Sequence, residues 1–514
     1  MTPGFKEGTK TVPSNLPSSR KRVGAVEWLE IAKSVRSAGG RLFALWGTDD
    51  RDRDGRFRVF AVYLHSGGVI VVEHEMEGGT KPTYPTLREY FPSALRMERA
   101  IFDLLGIKSM EPDHRGWLRH GGWPEDAFPL RRDFDRSNQF DVVSEPYSFV
   151  QVEGDGVHEI PVGPVHAGTI EPGHFRFSVV GEKVLRLEER LGYKHKGIEK
   201  LFEAMDQKEG YRLAARISGD SAVAYSWAYC AALEAVTGTI CPPRALQLRA
   251  LALEHERLAN HLGDLGALGN DAGFAIGLTH FSSMKEDLLR TNRACFSARY
   301  LMDFVVPGGL ASDLLNDAPR LLLDHYRSLE ADVIGMRNTY DNHAGVQDRF
   351  RETGILSHET AYRLDAAGLI ARASGIPHDL RADFPWPPYD NLKVKASSQA
   401  SGDVAARVAV RFDEVIESLR ICRALLTSLA AGEIQSALPD VEPGLLGIGA
   451  IEGWRGPVLI ALETGSNGSI RRCHPHDSSW QNWPLIEYAI LGNLVPDFPL
   501  INKSFNLSYS GHDV

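Results

Sequence analysis

The chain has 514 residues, 43% of them hydrophobic, enough apolar material for more than one globular core. Its 67 acidic residues outnumber 57 basic ones for a formal net charge of -10, and the absence of a long basic stripe excludes a general nucleic-acid binder. Only Cys230, Cys241, Cys295, Cys422 and Cys473 occur, none in a C-x-x-C pair, which excludes a self-supplied iron-sulfur cluster or zinc ribbon and fits a reducing compartment.

In chain order, residues 1–22 are polar, with Pro, Gly, Ser and scattered Lys and Arg, and predict a disordered tail without the apolar core of a signal peptide. A small mixed α/β domain is expected over 23–145. It starts with a helix over 26–38, followed by strands over 58–64 and 68–75 joined by a hairpin turn at Ser66-Gly67-Gly68. A helix over 88–105 follows, and then an irregular stretch, 106–134, carrying three prolines. Residues 135–155 read as a linker into a second domain, 150–514, that begins with strands over 175–180 and 183–187. Beyond Gly192 helical periodicity dominates, with helices predicted over 243–268, 281–304, 318–340, 358–373 and 402–431. The proline-rich stretch 373–395 reads as a loop over the bundle surface. The expected fold class is α+β, a small mixed domain followed by a mainly helical one with small edge sheets. No segment reaches 18 uninterrupted apolar residues, so no membrane-spanning helix is expected.

Several motifs are family-specific. The runs MERAIFDLLGI (97–107) and FPLRRDF (128–134) resemble the smaller hydrophilic 30-kDa-type subunit of respiratory complex I, whose role is to clasp its larger neighbour. From Gly163 onward, GPVH (163–166), EPGHF (171–175), GYKHKGIEK (192–200), ERLANHLGDLG (256–266), PGG (307–309) and DFPLI (497–501) resemble the large peripheral subunit of complex I. They resemble still more the nickel-iron hydrogenase large subunit of formate hydrogenlyase-type complexes. The resemblance covers nearly all of the chain outside the tail.

In that hydrogenase pattern Ser218 and Ser221 stand where the first cysteine pair would be, and Ser508 and Gly511 where the second would be. Hydroxyls are hard and almost never ionised, so they cannot replace soft thiolates around nickel and iron. Arg216, which precedes the first pair in the family pattern, is kept, and Asp513 fits the region after the second. Hydrogenase precursors of this kind carry a removable C-terminal extension, and with the chain stopping at Val514 none is expected here. The complex I quinone pattern is carried in part. Gly219 takes the place of the quinone tyrosine, Ile170 stands near the position of the quinone histidine, and Asp271 matches the aspartate that pairs that histidine; His166 and His174 are the nearby alternatives.

The candidate cavity set is therefore His166, His174, Arg216, Ser218, Ser221, Tyr225, Asp271 and Ser508, with no metal ligand. For the serines the alternatives are a polar, ligand-binding cavity or simple hydrogen bonding to backbone and water. Tyr225 faces the cavity or the core, and the two histidines serve as proton donors or bond to carbonyls. Cys473-His474-Pro475-His476-Asp477 reads as a surface loop rather than a metal site, and Lys194-His195-Lys196 as a basic knuckle that meets a partner or solvent.

The resemblance implies a hydrophilic subunit of a membrane-associated respiratory oxidoreductase complex, formate hydrogenlyase-like or NADH dehydrogenase-like. It would lie on the inner, cytoplasmic face of the cell membrane and have no hydrogenase activity of its own. It implies an iron-sulfur small subunit, a ferredoxin-like subunit and antiporter-like membrane subunits as partners, and no nucleic acid. No cofactor bound by this chain is expected, with a quinone left open as ligand and the iron-sulfur clusters placed in a partner. The alternative is a catalytically silent scaffold or coupling subunit for an ion-translocating membrane module.

Overall fold

The computed structural model describes residues 8–77, 79, 81–141, 143, 147–167, 170–315 and 317–514. Its N-terminal part is a five-stranded sheet in the order Lys10–Thr11, Ser18–Val23, Gly68–Glu77, Arg56–His65, Arg41–Asp50. The helix Ala25–Ser37 and the hairpin fall where the sequence places them. The helix Ala94–Leu105 starts later than the 88–105 expectation, because Pro92 and Ser93 precede it as turn. It packs so closely on the Arg41–Asp50 strand that a Cβ on Gly47 would sit 2.7 Å from Leu105.

Two N-terminal expectations are corrected. The part of the tail over 1–7 lies outside the described residues, but the rest is built into the fold. Ser18–Val23 runs parallel to Gly68–Glu77, and Asn15 exchanges two hydrogen bonds with Ala450 (2.8 and 2.9 Å), far along the chain. Paired main chain and ion pairs such as Arg20–Glu73 hold this polar segment, which composition alone reads as loose. The strand Arg41–Asp50 is missed because both of its faces are buried, which erases the period-two alternation.

The C-terminal part opens with the antiparallel strands Val157–Val162, His174–Val180 and Lys183–Arg190, and then becomes a bundle around the helix Pro243–Asp271. Ala275–Phe296, Ala318–Asn342 and Val404–Thr427 pack against one another and around it. The predicted helix over 281–304 ends early, at Ser297 in the left-handed region. The helix predicted over 358–373 is two pieces, His358–Arg363 and Gly368–Ala373. At the break Asp365 and Gly368 take positive φ, and a Cβ on Gly368 would lie 2.0 Å from the Arg455 carbonyl, so only glycine allows this approach.

A last antiparallel sheet, Leu446–Glu452, Pro457–Thr464 and Ile470–His476, packs on the helix Ala222–Thr237. Gly449 lets strand and helix touch; a Cβ there would lie 1.8 Å from the Ala228 carbonyl. This sheet contains Cys473 to His476, so that segment is a buried strand and not a surface loop. The stretch over 373–395 likewise enters the core. Asp379 and Arg381 are buried, and Arg381 pairs with Glu254 at 2.9 Å.

These charges belong to a buried network that shapes the site. Arg372 bridges Glu414 (2.8 Å) and Glu452 (2.9 Å), while Arg257 donates to the carbonyls of Glu452 (2.7 Å) and Gly453 (3.0 Å). The guanidinium of Arg257 thereby fixes the turn after Glu452, which presents Trp454 and Arg455 to the C-terminus.

Candidate functional site

Ser218 and Ser221 lie in the turn that leads into the helix Ala222–Thr237, and Ser221 occupies its N-cap position without capping it. The caps come instead from Glu256, whose carboxylate accepts from Val223 N (2.7 Å) and Ala224 N (3.1 Å). Burial pushes the Glu256 carboxyl up to about 8, against the pull of those two amide bonds.

Ser508 comes from the other end of the chain. It caps the four-residue helix Tyr509–His512 by accepting from Gly511 N at 2.8 Å, and its hydroxyl lies 2.9 Å from that of Ser218. Ser218 Oγ donates to Asp220 Oδ1 at 2.8 Å, and Asp220 is gripped by Arg455 at 2.7 and 2.5 Å. Proton counting sets the direction. An amide only donates, a carboxylate only accepts and each hydroxyl holds one proton, so the Ser508 proton points to Ser218. The result is a one-way chain from Gly511 N through Ser508 and Ser218 to Asp220. Loss of water around Asp220 would raise its carboxyl, but the charge and hydrogen bonds of Arg455, with Ser218, outweigh that and hold it below the usual carboxylate range.

A nickel-iron centre does not fit these residues. The hydroxyls at three of the four positions that the resemblance gives to metal ligands are bonded within the protein, Arg455 adds a cation beside them, and the fourth such position is blocked. A Cβ on Gly511 would sit 2.7 Å from Asp477 Oδ2, an oxygen that also accepts from Tyr225 OH at 2.8 Å. No cluster of three or more His, Cys, Asp or Glu suited to a metal occurs among the described residues.

Beside the serine pair lies a cavity of about 450 Å³ lined by Ser218, Asp220, Asp271, Lys503 and Ser508. Asp271 ends the helix Pro243–Asp271; burial raises its carboxyl, while Lys503 pulls it back. Gly219 also lines this space, and a Cβ there would meet nothing within 4 Å, so the position that the resemblance gives to a quinone tyrosine is open.

The structure thus brings Ser218, Ser508 and Asp271 to one cavity, with Ser221 behind it, 3.5 Å from Arg455. It does not bring the other candidates there. Arg216 is exposed and forms a bidentate pair with Asp303 at 2.7 Å. Tyr225 is buried, its hydroxyl spent on Asp477. His166 bonds the Gly173 carbonyl at 2.8 Å and His174 the Gly163 carbonyl at 3.2 Å, bracing the loop between two strands. Burial pulls His174 down, and its ring lines a different pocket. The knuckle is also reassigned: Lys194 N donates to the Asp513 carboxylate at 2.9 Å and His195 bonds the Asp513 carbonyl at 3.1 Å, so it pins the chain's own C-terminus.

Sequence reasoning missed Arg455 and Lys503, took Asp477 as part of a surface loop although it is buried, and did not single out Asp220. The one signal for Arg455 is a lone arginine in the Gly453-Trp454-Arg455-Gly456 turn, between two strands.

A sheet domain tied to a helical bundle, with a cleft formed by a mid-chain turn and the extreme C-terminus, defines the class of large hydrophilic subunits shared by nickel-iron hydrogenases and complex I. Residues 22–139 match the family described as respiratory-chain NADH dehydrogenase, 30 Kd subunit, and residues 271–445 match the 49 Kd subunit family. The chain is 32% identical over 487 residues to formate hydrogenlyase subunit 5 of Escherichia coli (strain K12), across 92% of this chain and 85% of that one. It is 30% identical to hydrogenase-4 component G of the same organism, across 92% and 84% of the two chains. An NADH-quinone oxidoreductase subunit of Phocaeicola vulgatus is 27% identical, across 77% and 80%. The chain belongs to the family of formate hydrogenlyase subunit 5, with domains of the 30 Kd and 49 Kd complex I subunit families in one polypeptide. A chain of the membrane-bound sulfane sulfur reductase, an archaeal respiratory membrane complex, shares the fold with a TM-score of 0.66 at 22% identity, covering 70% of this chain and 99% of that one.

Proposed function

We propose that this chain is the large hydrophilic subunit of a membrane-associated respiratory oxidoreductase complex of the formate hydrogenlyase or complex I kind, in which a metal-free polar cavity replaces the nickel-iron centre. The observation that carries this reading is the closed chain from Gly511 through Ser508 and Ser218 to Asp220 and Arg455, which occupies the place of the metal ligands. In this reading the complex keeps its electron carriers in an iron-sulfur small subunit and a ferredoxin-like subunit. It docks on antiporter-like membrane subunits at the cytoplasmic face, consistent with no helix among the described residues being long and apolar enough to cross a membrane. The segment 23–145 clasps 150–514.

The cavity beside Asp271 and Lys503 has room for a ligand head group such as a quinone, and the names of the complex I-like relatives support that choice. The serine hydroxyls and Asp220 would offer a ligand in this space hydrogen-bonding groups held in fixed orientation by Gly511 and Arg455. Affinity purification from native membranes tests the proposal. Recovery with an iron-sulfur partner, without stoichiometric nickel, is expected; a chain recovered alone, or loaded with nickel, would overturn it.

A second reading, a scaffold that couples to an ion path without binding substrate, draws on the hydroxyls already being bonded within the protein. Titration with a short-chain quinone separates the two, since saturable protection of the cavity residues from hydrogen exchange supports the redox reading alone.

A further inference from the structure

A second pocket, of about 410 Å³, lies between the loop over 114–125 and the strands His174–Val180 and Lys183–Arg190, and it shares no lining residue with the serine cavity. Its wall is cationic. Arg115, Arg119 and Arg190 line it, with Glu125 as the acidic side chain among the lining residues.

The three guanidiniums differ in how they are neutralised. Arg115 is paired, at 2.7 Å from both Asp113 and Glu188. Arg119 is weakly paired. It stands 3.9 Å from Asp103, a carboxylate whose other oxygen already accepts three main-chain amides, and 3.5 Å from Glu125, whose side chain is 92% exposed. Arg190 has no carboxylate within ion-pair distance among the described residues. It is 4% exposed, donates to the carbonyls of Trp117 and Arg119, and lies 4.6 Å from the Tyr147 ring. A buried cation with no ion-pair partner is unfavourable until an anion joins it, and burial pulls the Arg190 guanidinium down to about 10 although Asp103 acts on it from beyond ion-pair distance. A guanidinium is also suited to gripping two oxygens of a phosphate or carboxylate.

We propose that this pocket binds a small organic oxyanion, a phosphate or carboxylate of metabolite size. Its charged end would meet Arg190 and Arg119, and its organic body would lie along Tyr147 and Phe149. The volume supports the organic body, since a pocket of this size falls in the range that encloses small-molecule ligands, well beyond a bare phosphate. The two rings, 4.8 Å apart edge to face, supply an apolar wall beside the cations.

Calorimetric titration of the purified full-length chain with inorganic phosphate, pyrophosphate and phenyl phosphate tests this. Saturable one-to-one binding is expected, with phenyl phosphate tighter than inorganic phosphate. Arg119→Gln should weaken it about tenfold or more through loss of a charge-assisted contact. Arg190→Gln should abolish it, and where that variant fails to fold, Arg119→Gln decides. No saturable heat with any of the three probes, or binding unchanged in Arg119→Gln, overturns the proposal. Binding by the isolated chain that disappears in the assembled complex also overturns it, because the pocket would then take a partner's carboxylate. The serine cavity is untouched by these variants, so its reading stands or falls separately.

Discussion

The Tyr225 hydroxyl donates to Asp477 at 2.8 Å, and this bond, with a second from Ser479 N at 2.8 Å to the other oxygen, holds the carboxylate against the α-carbon of Gly511. One buried tyrosine thus helps to decide which residue fits at position 511. Placing a cysteine there requires moving Asp477, which the helix Ala222–Thr237 and the turn into the helix Ser479–Ala489 both resist.

Gly511→Ala should therefore destabilise the chain by about 1–3 kcal/mol, the usual range for forcing an atom into packed space. The φ of Gly511 is outside the left-handed region, so the effect comes from the contacts with Asp477 and with the Ser508 hydroxyl, 2.9 Å from the added Cβ, and not from the backbone. Urea denaturation measures it. In an Asp477→Ala background the same substitution should cost at least about 0.5 kcal/mol less, the coupling expected of touching residues. Equal cost in both backgrounds would remove Asp477 as the obstacle.

Asp220→Asn keeps an oxygen for Ser218 but removes the charge and the second acceptor oxygen that Arg455 grips, a loss of about 1–3 kcal/mol for a charged hydrogen bond. The sign with pH follows from the lowered Asp220 carboxyl. Its stabilising effect is present above the ordinary value of 3.8 and is lost as pH falls below it. The urea midpoint of the native chain should therefore fall through that window more steeply than that of Asp220→Asn.

A second acidic anchor reaches the strand Ile470–His476 from the short helix Ile198–Phe202. Glu199 is buried between Arg472, at 2.5 Å, and His474. Burial would raise the Glu199 carboxyl, but these two partners overcome it and bring it down to about 2 from an ordinary 4.5. A carboxyl lowered this way contributes on the order of 3 kcal/mol at neutral pH, present above 4.5 and lost as pH falls toward 2. Glu199→Gln should be destabilised at pH 7 and show little further loss between those two values, read as the urea midpoint against pH.

Where each face of an element has one environment, the sequence is readable. The hairpin at Ser66-Gly67-Gly68 and the helix Pro243–Asp271 follow from turn chemistry and periodicity. Ile470–His476 is opaque because Arg472 and His474 look solvent-facing until Glu199 supplies their partner from a remote helix. The serine pair is legible only through the family motifs, since Ser218 and Ser508 are 290 positions apart. Arg455 and Asp477 are single charges in turns beside strands, and nothing local distinguishes a charge that closes a site from one in solvent.

The five cysteines are all buried, and burial raises their thiols, with Cys241 and Cys295 pushed up to about 11. The folded chain should therefore resist a small maleimide at pH 7, since the thiolate is the reacting form. This makes the chain a clean background for a reporter. Gly219→Cys should be labelled rapidly, because its side chain would enter the open cavity where a Cβ meets nothing within 4 Å. Ser221→Cys, at a position 3% exposed and set back from that space, should label much more slowly. If both react alike, the opening beside Gly219 is not the route into the site. If only Gly219→Cys reacts, its protection by a short-chain quinone reports directly on whether the space left by the missing tyrosine takes a ligand.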